Sequence, residues 1–139
     1  MRRPWQRFAP WCDNRGVLIA SQVLAGVVAA LHLYFLVLEM FLWTGPVGQR
    51  VFQRTAEEQR QSAVLAANQG LYNGFLVAGL VWSLIAAPVI AIPVRIFVFA
   101  CVVIAGVYGG ATVNKRIAFI QAGPALLGLV VTLAYRYSA

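Results

Sequence analysis

Four apolar stretches, each close to the length that crosses a bilayer, constrain this chain more than any motif in it. A helix rising ~1.5 Å per residue needs about 20 apolar residues to cover the ~30 Å hydrocarbon layer. The stretches 17–43, 63–87, 94–113 and 117–135 meet or approach that length. Composition excludes a soluble globule: of 139 residues 61% are hydrophobic and 11% charged, and the mean hydropathy is +0.77, too little polar surface to coat a domain of this size. A net charge of +7 would point to nucleic acid in a soluble protein. Here the arginines stand mainly in tails and loops beside apolar runs, where they anchor helices against anionic headgroups, so the expected partner is the lipid bilayer and not nucleic acid.

The expected fold class is all-α, an integral membrane four-helix antiparallel bundle spanning residues 17–139 as one domain, preceded by a basic interfacial tail over residues 1–16. In the tail Trp5, Phe8 and Trp11 lie among Arg2, Arg3, Arg7 and Arg15, a mixture suited to the headgroup zone. The first apolar run is expected to be retained, because it exceeds the ~7–15 residues of a signal-peptide core, contains Glu39 and is followed by no small-residue cleavage pattern. The one substantial polar loop runs from Thr44 to Ser62, and within it Thr55-Ala-Glu-Glu58 has the spacing of a capping box. Pro88 and Pro93 are expected to break the chain ahead of Arg95, and Asn114-Lys115-Arg116 to make a short turn. Six Lys/Arg fall on the side of the N-terminus and five on the other, a difference that leaves orientation open. Cys12 and Cys101 lie in unlike surroundings and read as unpaired thiols.

Polar residues inside the apolar runs are the candidate site. An ionisable group at mid-bilayer costs about 2.5–3.5 kcal/mol on insertion scales, so such groups face a partner, a cavity or a substrate. His32 and Glu39 share a stripe, since seven residues turn through about 700°, yet they are ~10.5 Å apart along the axis and are not expected to bond directly. On the second helix Asn68, Gln69, Tyr72 and Asn73 fall within an arc of roughly 140°. Cys101, Ala105, Tyr108, Thr112 and Lys115 share a stripe on the third, and Gln121 opens the fourth. Antiparallel packing would bring most of these to one leaflet, with His32 as the floor and the opposite half almost entirely apolar. The spacing Gly70 to Gly74 and Gly106 to Gly110 points to a contact between the second and third helices, or between copies of the chain.

Leu31-His-Leu-Tyr-Phe-Leu-Val-Leu-Glu-Met-Phe-Leu-Trp43, Leu65-Ala-Ala-Asn-Gln-Gly-Leu-Tyr-Asn-Gly-Phe75, Ala105-Gly-Val-Tyr-Gly109 with Thr112, and Gln121-Ala-Gly-Pro-Ala-Leu-Leu127 resemble the small bacterial membrane proteins known as domain of unknown function 1304. The resemblance spans about Val17 to Tyr135. It implies a four-helix membrane fold in the bacterial inner (plasma) membrane and brings no settled activity or cofactor.

Two functional readings follow. In the first, the chain binds a small amphipathic or apolar molecule in a one-sided polar pocket and transfers a proton to or from it. Glu39 is then the acid or base, since a carboxyl in low dielectric is suited to carry a proton, and His32 is its deeper counterpart. Asn68, Gln69, Tyr72, Asn73, Tyr108, Thr112 and Gln121 are the ligand-binding groups. No metal is expected, because one His and one Glu fall short of a ligand set. In the second reading the chain is an accessory or scaffold subunit whose polar stripes pair with a membrane-complex partner or with its own copy.

Overall fold

The computed structural model describes residues 14–138; the tail residues Trp5, Phe8, Trp11, Cys12, Arg2, Arg3 and Arg7 lie outside them. The chain runs α1 Asn14–Phe41, α2 Pro46–Phe52, α3 Ala56–Ile85, α4 Pro88–Thr112, α5 Lys115–Ile117, a π-helical turn Ala118–Ala122, and α6 Gly123–Ser138. Four spans are long and apolar enough to cross a membrane: Arg15–Phe41, Ala56–Ile85, Pro88–Thr112 and Lys115–Ser138, the last combining α5, the π turn and α6. Successive spans run antiparallel, the first two joined by the segment that holds α2 and the others by short connections. Around the bundle α1 packs on α3 and α6, and α4 on α3 and α6, closing a four-membered ring.

Local chemistry accounts for the boundaries. Thr55 and Glu58 form the capping box: the threonine hydroxyl accepts from Glu58 N at 3.3 Å, and Thr55 N donates to Glu58 Oε2 at 2.8 Å. This starts α3 at Ala56, ahead of the apolar stretch that begins at residue 63. On the other side of the bundle the structure corrects the expected break before Arg95. Pro88 opens α4 at its first position, where an amide would have no helical partner, and Pro93 lies within the helix. The bond missing at Pro93 falls on the carbonyl of Val89, in the first turn, so the helix continues at little cost. The connection from α3 is therefore only Ala86 and Ala87. At the last turn Asn114 Oδ1 accepts from Arg116 N at 2.9 Å, as the short connection requires. The π turn follows because Pro124 has no amide to donate; Gly123 N reaches back five residues to Ala118 O.

Ala25, Val28 and Ala29 of α1, Leu80 of α3, Val98, Phe99 and Val102 of α4, and Ala125 of α6 form the core. Phe99 is fully buried and lies against Gly128 so closely that any Cβ there would overlap the ring. Most other large apolar side chains point outward, among them Val64, Ile85, Phe97, Ile104 and Phe119, a distribution that water would not tolerate and lipid does. Cys101 is a half-buried free thiol on α4. Replacing Gly128 by Val should displace the Phe99 ring and destabilise the bundle by about 1–3 kcal/mol, measured as a lowered unfolding temperature in detergent, with Gly128→Ala intermediate.

Candidate functional site

The α1–α3 seam holds the polar pair that links two helices in the half of the bundle near loop one. Asn73 Nδ2 donates to Glu39 Oε2 at 2.8 Å and also to Gln69 O at 3.2 Å. Glu39 and Asn73 are half-buried. The seam closes here because Gly70 lies against α1: a Cβ on it would stand 3.2 Å from both Glu39 Cβ and Leu36 O. Gly74 meets Leu36 in the same way. Two turns deeper, His32 is 1% exposed, and its Nδ1 is 2.8 Å from Val28 O of its own helix. A carbonyl only accepts, so Nδ1 carries the hydrogen and Nε2 of the neutral ring keeps its lone pair. Thus His32 is anchored by α1 alone. No hydrogen bond joins it to Glu39, as the axial spacing requires.

The remaining sequence candidates are not gathered around this pair. Asn68, Gln69, Tyr72, Tyr108 and Thr112 are exposed on the outer surface, Tyr108 at 70%, and Thr112 Oγ1 donates to Tyr108 O of its own helix at 2.8 Å. Gln121 is half-buried in the π turn, its Cβ 3.1 Å from where a Cβ on Gly106 would be. The glycine pairs also take partners other than those expected. Gly70 and Gly74 pack on α1, whereas Gly106 and Gly110 pack on Ala122 and Ala118 in the π turn; the close approach of α3 to α4 is at Gly79, against Val98. Among the described residues no three His, Cys, Asp or Glu side chains come together as a metal site would require.

A second polar centre occupies the half that sequence reasoning left apolar. Arg95 is 1% exposed, and its guanidinium donates three hydrogen bonds: Nη2 to Ser83 O at 2.7 Å, Nη1 to Ser21 Oγ at 2.9 Å and Nε to Ser83 Oγ at 3.3 Å. The hydroxyl hydrogens all run away from the cation. Ser83 donates to Leu80 O at 2.7 Å and Thr132 to Gly128 O at 2.6 Å. Ser21 Oγ is 2.7 Å from Thr132 Oγ1, and since the threonine hydrogen is committed, the serine is the donor. Each of the four spans contributes one side chain: Ser21, Ser83, Arg95 and Thr132. No carboxylate among the described residues pairs with the guanidinium.

The sequence profile of a family described as protein of unknown function, DUF1304, matches residues 26–133. The chain belongs to this family. The uncharacterized protein YpaA of Lactococcus lactis subsp. lactis (strain IL1403) is 33% identical over 114 residues, covering 81% of this chain and 95% of the relative. No solved structure matches the chain significantly.

The family's span contains Glu39, Asn73, His32, Arg95, Ser83 and Thr132, but begins after Ser21. Arg95 did carry a legible signal. It is in phase with Phe99, Val102 and Gly106, the buried stripe of α4, and only the two prolines made it look like a loop residue. Ser21→Ala should cost about 1.5–3 kcal/mol, the usual loss for a hydrogen bond to a charged group. Thermal unfolding of Ser21→Ala, Thr132→Ala and the double variant checks this, with the double variant losing less than the sum because the two hydroxyls share one chain of bonds.

Proposed function

We propose that this chain is a bacterial inner-membrane protein that binds a small amphipathic or apolar molecule against the α1–α3 seam, with Glu39 as the group that exchanges a proton with it. The observation that carries this reading is the Glu39–Asn73 hydrogen bond. It fixes one carboxyl oxygen at 2.8 Å between two helices while leaving the residue half-exposed. A carboxyl that only cemented two helices would be expected to be sealed, as the Arg95 centre is. His32, deeper on the same stripe, presents Nε2 as the acceptor toward which a proton or a ligand hydroxyl could be drawn. Asn73 orients the carboxyl, and Gln121 is the remaining half-buried amide at the loop-three end. Asn68, Gln69, Tyr72, Tyr108 and Thr112 face outward and have no part in the seam site in this reading.

Those same outward residues favour a second reading, in which the chain is an accessory or scaffold subunit. Amides and phenols on a lipid-facing surface find hydrogen-bond partners on another helix, either of a membrane complex or of a second copy. Purification in a native detergent followed by mass spectrometry separates the readings: a retained small molecule supports the seam site, whereas a stoichiometric protein partner supports the subunit. Glu39→Gln keeps the acceptor for Asn73 and removes the ionisable proton, so it should fold with an unchanged unfolding temperature and lose retention of the molecule at least tenfold, about 1.4 kcal/mol. Equal loss of folding and of retention would make Glu39 a structural residue.

A further inference from the structure

In the first turn of α3, Gln59 is fully buried, and neither its Nε2 nor its Oε1 meets a hydrogen-bonding group among the described residues. Its neighbours Glu57, Glu58 and Arg60 in the same turn are exposed. The backbone of Gln59 is fully engaged: N donates to Thr55 O at 3.1 Å, and O accepts from Trp43 Nε1 at 3.0 Å. Only the carboxamide is left over. Each buried group without a partner costs about 1–3 kcal/mol, so an idle glutamine would be a poor residue to keep here.

The surroundings are built as a closure. Trp43 reaches over the start of α3, its indole N–H shared between Gln59 O and Ser62 Oγ, the latter at 3.3 Å. Phe52, the last residue of α2, packs against the indole at a tilt of 51°, with ring centroids 4.6 Å apart. Gly48 holds α2 down, since a Cβ on it would overlap the carbonyls of Trp43 and Leu42. Gln53 then takes a left-handed conformation, φ 52°, and turns the chain into the Thr55 cap. Ser62, whose hydroxyl donates to Glu58 O at 2.7 Å and accepts from Trp43, makes no hydrogen bond to the carboxamide.

We propose that the Gln59 carboxamide binds a hydroxyl group in a closed site at the start of α3, beside Trp43. A neutral amide with a free donor and a free acceptor is matched by a group that both accepts and donates, and a hydroxyl is the smallest such group. A carboxylate would satisfy Nε2 alone, and an ammonium Oε1 alone. The site lies where hydroxyls are abundant. At 30 residues α3 is about 45 Å long against a hydrocarbon layer of ~30 Å, so its first turns stand in the headgroup layer, supplied by water and by glycerol-type headgroups. It is separate from the Glu39 seam, fourteen residues or about 21 Å along α3 from Asn73.

Solid-state NMR on the full chain in lipid, with the glutamine side chains labelled and Gln59 assigned by its loss in Gln59→Leu, tests this directly. A magnetisation-transfer cross-peak from a hydroxyl or water proton to the Gln59 amide is expected. Its absence overturns the proposal, whatever the stability of the variant. The same cross-peak in bilayers free of glycerol-type lipid assigns water. A cross-peak that appears only when monooleoylglycerol is added, and not with methyl oleate, assigns the headgroup. Thermal unfolding adds an independent reading: Gln59→Leu should unfold ~3–6 °C lower if a bound hydroxyl is lost, whereas an equal or higher temperature means that an idle polar group was removed and overturns the proposal. Should the leucine variant fail to fold, Gln59→Met supplies the assignment and the same comparison.

Discussion

The Arg95 guanidinium is the interaction on which the arrangement of the four spans depends. A cation placed inside an apolar bundle costs about 2.5–3.5 kcal/mol to insert, and the only way to hold it there without a carboxylate is to surround it with oxygen lone pairs. Three hydrogen bonds from a charged donor, each of about 1.5–3 kcal/mol, are of the size that offsets that cost. They can be made only if α1 presents Ser21 and α3 presents both the hydroxyl and the carbonyl of Ser83, while Thr132 of α6 fixes the direction of the Ser21 hydroxyl. Rotating any one span breaks a bond that lipid cannot replace. Hydrophobic burial gives no such directional preference in a bilayer, because lipid tails are as apolar as the core.

Once that end is fixed, the rest follows from how closely the backbones can approach. Phe99, one turn beyond Arg95, fills the space over Gly128, and Gly106 and Gly110 let α4 settle on Ala122 and Ala118. Along α1 the contact with α3 tightens at Gly70 and Gly74, which sets Asn73 beside Glu39. From Ser21 to Glu39 is eighteen residues, about 27 Å along α1, nearly the thickness of the hydrocarbon layer. The two polar centres therefore stand near opposite faces, with His32 and the apolar core between them. One is sealed and hydrogen-bonded on all four spans; the other joins two spans and is partly open.

The number and order of the spans, the capped start of α3 and the turn at Asn114 were legible in the sequence, because each rests on local chemistry: run length, the Thr55–Glu58 spacing, an Asn before a helix start. Depth was legible as well, since it needs only a count of residues from a helix end. Direction was not. Angles within α3 place Asn68 and Tyr72 about 160° from Gly70 around the helix, but nothing in α3 itself says that Gly70 is the face that meets α1. That choice belongs to the partner helix, and it turns Asn68 and Tyr72 outward while keeping Asn73 in the seam. Tyr108, equally far around α4 from Gly106, is exposed for the same reason. Arg95 was hidden by a rule applied too broadly: at Pro88, the first helical position, there is no bond to remove, and α4 runs on through Pro93 although one is missing there.

The two polar centres differ in how much hydrogen-bonding capacity they leave unfilled. In the Arg95 centre every hydroxyl hydrogen has a protein acceptor, and Ser21 and Ser83 take three of the five guanidinium N–H groups at a position that is 1% exposed. A centre of that kind rigidifies. The Glu39 centre has a different valence: one carboxyl oxygen is bonded to Asn73, and the nearest ionisable group on its stripe, His32, is tied by Nδ1 and not by Nε2. A bundle that spends its directional bonding at one end can leave hydrogen-bonding capacity unfilled at the other without losing its arrangement. The fixed end is what permits the open one, where Glu39 keeps one carboxyl oxygen outside its bond to Asn73.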